Sequence, residues 1–187
     1  MINKIVPHLK LVTIFILFYF LNATAETTWA PAIEGNKIIL IRHSLAPGGG
    51  DPSGFKINDC KTQRNLSKEG IEQSKKIGKL FQKNQIKIDQ VLSSQWCRCK
   101  DTAKYAFGKY EEFSALNSTF QKQFSGNETE QIRKIKKYIN NWEENGKNLV
   151  FVTHYSIITK LTNAIPDSGE IIIINKKLQV LSNILTD

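Results

Sequence analysis

Cysteine, histidine and proline are scarce in this 187-residue chain, at three, three and five residues. Three cysteines cannot hold together a disulfide-dense miniprotein. Eleven glycines and five prolines exclude collagen-like or low-complexity disordered sequence. Acidic residues are also short, 17 against 26 Lys and Arg, which gives a net charge of +9. Such an excess fits an anionic partner, namely nucleic acid, an anionic membrane surface or a phosphorylated substrate. No nucleic-acid-binding motif and no stripe of alternating basic and aromatic residues occurs, so nucleic acid is not an expected partner. With 41% hydrophobic residues in a chain of this length, one folded domain is expected.

Long apolar runs are missing as well. Leu11 to Leu21 is about 11 residues long, whereas spanning a bilayer as a helix takes roughly 20. Lys4 and Lys10 precede the run and Ala23-Thr24-Ala25 follows it. A basic start, a short apolar core and a small-x-small site predict a secretory signal peptide over residues 1–25, with an uncleaved anchor as the rival reading. The predicted mature domain, residues 26–187, keeps 24 basic against 17 acidic residues and a charge of +7. The chain is therefore expected to be exported, periplasmic or secreted. In an oxidising compartment Cys60 is expected to pair with Cys97 or Cys99, since the latter two stand too close together to bridge comfortably. Without histidines at suitable spacing, the three cysteines do not read as a zinc site.

Strands and helices alternate along the mature chain. Residues 26–36 read as an irregular lead-in. Lys37 to Ile41 is a nearly unbroken apolar run that suits a strand buried on both faces, and a Gly/Pro-rich loop follows it over residues 45–59. Ser67 is a suitable N-cap for a helix whose apolar positions Ile71, Ile77, Leu80 and Phe81 share one face. Ile88 to Ser93 reads as a second strand, Arg98 to Phe107 as a helix, Thr129 to Trp142 as a basic helix and Asn148 to Thr153 as another buried strand. Strands at 171–174 and 178–184, joined by a turn at 175–177, complete the pattern. It predicts an α/β fold, a three-layer sandwich with a central, mostly parallel sheet flanked by helices. Ligands in such sheets sit at the carboxyl ends of the strands.

Chemistry-bearing residues fall at those ends. Arg42, His43 and Ser44 follow the first strand, Ser93 to Arg98 the second, and His154 the strand at 148–153. Apart from His8 in the predicted signal peptide, these are the only histidines in the chain. A neutral imidazole is a good nucleophile toward phosphorus. Arginine's planar fork matches phosphate oxygens and keeps its charge. Two arginines and a second histidine, if protonated, would stabilise the charge that spreads over the equatorial oxygens during phosphoryl transfer. The arrangement calls for no metal and no cofactor.

Taken in order, these segments resemble the histidine phosphatase (phosphoglycerate mutase-like) superfamily. Ile38 to Ser44 is similar to its opening strand and Arg-His-Gly motif. Arg64-Asn65-Leu66-Ser67 through Gly70 and Gln73 is similar to its first helix start. Leu92-Ser93-Ser94 through Arg98 to Thr102-Ala103 is similar to its Ser-Ser-x-x-x-Arg segment, and Val152-Thr153-His154 to its late histidine strand. The resemblance covers about residues 37–160. It implies a phosphoglycerate mutase-like fold and a metal-independent phosphatase. His43 would be the nucleophile, Arg42, Arg98 and His154 would form the phosphate pocket, and Arg64 and Ser44 would be further substrate contacts. The implied reaction is hydrolysis of phosphomonoesters through a phosphohistidine on His43. The rival reading is an idle relative that binds phosphorylated ligands. Ser44 replaces the family's glycine. The proton donor is unassigned among Glu111, Glu112, Glu128 and Glu130, and Tyr155 stands where one branch carries an acid. The expected partner is a phosphorylated small molecule or cell-envelope component, bound by a monomer. The basic run Arg133 to Lys137 reads as a solvated face or as a peripheral contact with an anionic membrane surface.

Overall fold

In the computed structural model, which describes residues 28–186, runs of β-branched residues form the centre of the fold. The segment predicted as a signal peptide lies outside the described residues. Six strands make one sheet: β1 (Ile38–Arg42), β2 (Ile88–Ser93), β3 (Glu111–Glu112), β4 (Asn148–Thr153), β5 (Ile171–Ile174) and β6 (Val180–Ile184), in the spatial order β3-β2-β4-β1-β5-β6. The first four run parallel, and β5 and β6 are antiparallel additions at one side. β1 and β4 lie in the middle and are almost entirely buried. That is why their sequences are near-continuous Ile, Leu, Val and Phe rather than alternating.

Helices cover both faces. α1 (Ala30–Glu34), α2 (Lys68–Lys83) and α3 (Cys97–Phe107) lie on one side. There Ala32, Ile77, Phe81, Cys99 and Ala103 pack on Ile39, Ile41, Val150 and Val152. The short α4 (Lys122–Ser125) precedes α5 (Glu128–Asn141), and α6 (Tyr155–Thr162) follows β4. Ile132, Ile135, Ile139, Ile157 and Ile158 pack on the other face against Ile38, Leu40, Leu149 and Phe151. Successive residues of each central strand thus feed opposite layers, the period-two rule of a pleated strand. The result is the predicted three-layer α/β sandwich. Among the described residues no helix is long and apolar enough to cross a membrane.

The structure departs from the sequence reading at the margins. The lead-in is not wholly irregular: α1 forms there, with Pro31 in its first turn, where no backbone donor is needed. The last strand begins at Val180 rather than 178, because Leu178 takes a positive φ of 64° to close the turn. α6 and β3 carry no strong periodic signal and were not expected. Ser67 caps α2 as predicted, its hydroxyl accepting from the Gly70 amide at 3.1 Å. On α5, Arg133, Lys134, Lys136 and Lys137 are exposed while Ile132, Ile135 and Ile139 face the core. Glu130 pairs with Arg133 at 2.7 Å.

Two glycines let α2 approach its neighbours. A Cβ on Gly70 would lie 2.1 Å from the Leu45 carbonyl oxygen, and one on Gly78 would lie 2.3 Å from that of Ala106 in α3. Both neighbours are backbone and cannot swing away. Gly78→Ala is therefore expected to lower stability by about 1–3 kcal/mol through overpacking, despite alanine's better helix propensity. Thermal unfolding followed by circular dichroism should show a drop of several degrees; an unchanged or raised midpoint would contradict the packing argument.

Candidate active site

Register brings the strand ends level with one another. Arg42 pairs with Thr153, and Ser93 with Val152. The His43 amide donates to the Thr153 carbonyl at 2.9 Å, and the Ser94 amide to that of Val152 at 3.0 Å. The residues immediately after β1, β2 and β4 therefore meet around one cavity of about 130 Å³. Arg42, His43, Arg64, Arg98, His154 and Tyr155 line it, and Gly48 to Asp51 with Phe120 and Gln121 close it. Five of the six residues the sequence singled out are thus brought together. The sixth, Ser44, is not: it is fully buried behind the cavity, its hydroxyl 2.8 Å from that of Ser74 and its amide donating to Thr102 at 3.0 Å. It is absent from the positive-φ residues, so serine sits at this glycine position of the family without strain.

The two imidazoles stand edge to face, with centroids 5.5 Å apart. His43 Nδ1 lies 2.8 Å from the Ser44 carbonyl oxygen. A carbonyl can only accept, so Nδ1 carries the hydrogen and Nε2 keeps its lone pair. Burial, then the positive charge of Arg98, pushes the His43 pKa well below the ordinary imidazole range. His154 is depressed by the same two causes, burial first and Arg98 second. In the free protein its neutral form is therefore favoured. Its Nε2 lies 2.8 Å from Ser94 Oγ, and its Nδ1 3.5 Å from Arg98 Nη2.

The guanidinium groups are held by backbone and by one carboxylate. Arg42 Nη1 donates to the Pro166 carbonyl at 2.8 Å, and its guanidinium lies over the Tyr155 ring, 5.7 Å from the centroid. Arg64 Nε donates to the Gly50 carbonyl at 2.9 Å, and its Nη1 to that of Ala46, so it braces the glycine loop as well as lining the cavity. Arg98 is gripped by Asp51, Nη1 to Oδ1 at 2.8 Å and Nη2 to Oδ2 at 3.2 Å. Their side chains are only 3% and 2% exposed. The Nε atoms of Arg42 and Arg98 are buried without a partner, an expense a folded protein rarely tolerates unless a ligand completes the site.

Asp51 was not singled out from the sequence, where it is one acid in a Gly-Gly-Gly-Asp-Pro turn. The glutamates considered as proton donors all lie elsewhere. Glu112 pairs with Lys100 at 3.2 Å, Glu128 with Lys160 at 2.8 Å and Glu130 with Arg133, while Glu111 is exposed on β3. Among the described residues Asp51 is the one carboxylate lining the cavity. Burial opposes its ionisation, but hydrogen bonding and charge from Arg98 outweigh that and hold its pKa below the usual carboxylate value.

The cysteines resolve the alternative left open. Cys60 and Cys97 form a disulfide, tying the end of the glycine loop to the first turn of α3. Cys99 is a buried free thiol, 3.4 Å from His154 Nε2, with its pKa pushed up to about 12, chiefly by burial. A thiol so far from ionising is a packing group rather than a nucleophile.

A family model of the histidine phosphatase superfamily (branch 1) matches residues 38–152. The chain belongs to this superfamily. The matched span takes in Arg42, His43, Asp51, Arg64 and Arg98, and His154 lies just beyond it. Solved structures agree in fold. A Thermus thermophilus protein, TTHB049, is 13% identical at a TM-score of 0.56, with 81% of this chain and 99% of that one covered. Phosphoglycerate mutase from the same organism is 13% identical at 0.54, with 81% and 99% covered. An Agrobacterium tumefaciens protein provisionally named phosphohistidine phosphatase SixA is 15% identical at 0.53, with 80% and 98% covered. No functionally curated protein matches the chain in sequence. Superfamily membership implies phosphatase or mutase chemistry.

The depressed histidines also govern acid stability. The unfolded chain takes up protons near the ordinary imidazole pKa of 6.5, whereas the folded chain does so only at lower pH. Stability is therefore full above pH 6.5 and is lost as pH falls below it, by up to about 1.4 kcal/mol per pH unit for each histidine. Urea unfolding at pH 7.5, 6.0 and 5.0 should show falling midpoints, and His43→Asn should flatten the trend. A midpoint that rises toward pH 5 would contradict the assignment of both rings as neutral.

Proposed function

We propose that the chain is an exported phosphohydrolase that transfers a phosphoryl group to His43 and then to water. The observation that carries this reading is the Nδ1–H bond to the Ser44 carbonyl. It leaves a neutral imidazole with its Nε2 lone pair at a cavity lined by Arg42, Arg64 and Arg98, and in two of these, Arg42 and Arg98, Nε is buried without a partner. Nε2 attacks phosphorus, the bond to the leaving group breaks, and that group departs with the electron pair. Arg42 and Arg98 neutralise the phosphoryl oxygens, and Arg64 adds charge at the rim. His154, kept neutral by burial first and by the charge of Arg98 second, lines the same cavity beside Arg98. Water then attacks phosphorus, the P–N bond breaks with its electron pair returning to Nε2, and of the water's two protons one stays on the phosphate and the other stays there too or passes to solvent. Superfamily membership and the name of the Agrobacterium neighbour agree with phosphatase chemistry.

The cavity at about 130 Å³ admits a phosphoryl group and little more, so the rest of a substrate lies outside it, past the exposed Phe120. Its one lining carboxylate is ionised and gripped, which leaves no carboxylic acid among the described residues of the cavity to protonate a leaving group. The reading therefore favours phosphoryl donors whose leaving groups are weakly basic, such as aryl phosphates and phosphoramidates. The same observation supports the second reading, a phosphate-binding relative without turnover. Export rests on the sequence of residues 1–25 and on the Cys60–Cys97 bridge, since such bonds persist in oxidising compartments. A phosphorylated cell-envelope component fits both. The basic face of α5 is proposed to meet an anionic envelope surface.

The purified chain should turn over p-nitrophenyl phosphate with and without a chelator, and His43→Ala should lower kcat at least about 1,000-fold. Turnover undiminished in His43→Ala, or abolished by the chelator, would overturn the mechanism. Phosphate binding without turnover would favour the second reading.

A further inference from the structure

Arg98 has two hydrogen-bonding edges, and the fold spends one of them on Asp51. The end-on edge, Nη1 and Nη2, meets both carboxylate oxygens. Among the described residues the side-on edge, Nε with Nη2, meets no carboxylate besides Asp51. Nε is buried and unpartnered, and Nη2 lies 3.5 Å from His154 Nδ1. A phosphoryl oxygen taken by Arg98 is therefore taken side-on, next to His154.

Asp51 has no freedom to do anything but hold. Oδ2 also accepts from Trp96 Nε1 at 2.9 Å, and Oδ1 from the Arg64 amide at 3.1 Å. The Gln121 amide clamps its backbone from both sides, accepting from the Asp51 N–H and donating to the Asp51 carbonyl, each at 3.2 Å. If the pair only stitched the loop down, apolar packing would serve as well, because desolvating two charges offsets most of their attraction. Here the carboxylate also lines an anion cavity, where its charge opposes the ligand.

We infer that Asp51 is a positioning residue that presents the side-on edge of Arg98 to the phosphoryl group while its charge keeps ground-state phosphate binding loose. Binding energy is then realised in the transition state, where charge on the equatorial oxygens is best matched, and product phosphate leaves readily. The turnover part of this inference rests on the proposed phosphatase function; the binding part does not.

The test compares the full chain with Asp51→Asn, using calorimetry with inorganic phosphate and steady-state kinetics on p-nitrophenyl phosphate. Removing one negative charge next to the cavity is expected to tighten phosphate binding at least about tenfold, while kcat falls about 10–100-fold as Arg98 loses its support. A merely structural carboxylate would move neither in this opposed way. Unchanged or weaker phosphate binding in Asp51→Asn overturns the inference, as does a kcat within twofold of wild type. If the wild type binds phosphate but turns over no phosphoryl donor, the phosphatase reading fails and the binding comparison still decides on Asp51. Should Asp51→Asn not fold, Asp51→Glu keeps the charge and displaces the fork. It is expected to lower kcat about tenfold with phosphate affinity within threefold, and wild-type kcat there overturns the inference.

Discussion

Among the described residues three guanidinium groups and two imidazoles share one cavity with a single carboxylate, and the bidentate grip of Asp51 on Arg98 is what makes that concentration of charge tolerable. Both partners are almost fully buried, so neither can be released to water without leaving the other charge unpaired, a loss of several kcal/mol. The surrounding chain is built to keep them together. The Cys60–Cys97 bridge ties the loop to the first turn of α3, Arg64 braces the loop through the Gly50 and Ala46 carbonyls, and Gln121 pins Asp51 from outside. Arg98 leaves α3 from its first turn, so the same bridge also fixes the helix end that carries it.

Burial first, and that positive field second, set the protonation of the ring groups. Burial and then Arg98 favour the neutral forms of His43 and His154, and the Ser44 carbonyl selects the His43 tautomer. A protonated His43 would have no lone pair to offer, so burial, helped by the charge that would attract an anion, keeps that lone pair available. Cys99, in contact with His154, is removed from chemistry by its buried setting. The cavity thus separates its roles: guanidinium groups supply charge, one imidazole supplies a lone pair, and the single acid supplies support.

Much of this was legible in the sequence because it follows local rules. The apolar runs of β1 and β4, the Ser67 cap and the position of both histidines at strand ends follow from periodicity and from the geometry of parallel sheets. The choice between Cys97 and Cys99 was not legible. The two residues lie about 200° apart around α3, and only the packed structure turns Cys97 toward the loop and Cys99 toward Ile39 and Val152. Asp51 was missed because its partner is 47 residues away and a glycine turn gives no periodic signal. The substrate contact expected of Ser44 is not seen, because adjacency to His43 in the chain says nothing of which way a side chain turns, and its hydroxyl meets that of Ser74 away from the cavity.

The proposed phosphatase function requires a neutral His43 to accept a phosphoryl group at Nε2. Rapid acid-free quench of the chain during turnover of a phosphoryl donor, followed by peptide mass spectrometry, tests this directly. Phosphate should appear on the peptide carrying His43, be lost on mild acid treatment and be absent from His43→Ala. Turnover with no phosphoryl group on His43 at any quench time, or with the label on another residue, would contradict it.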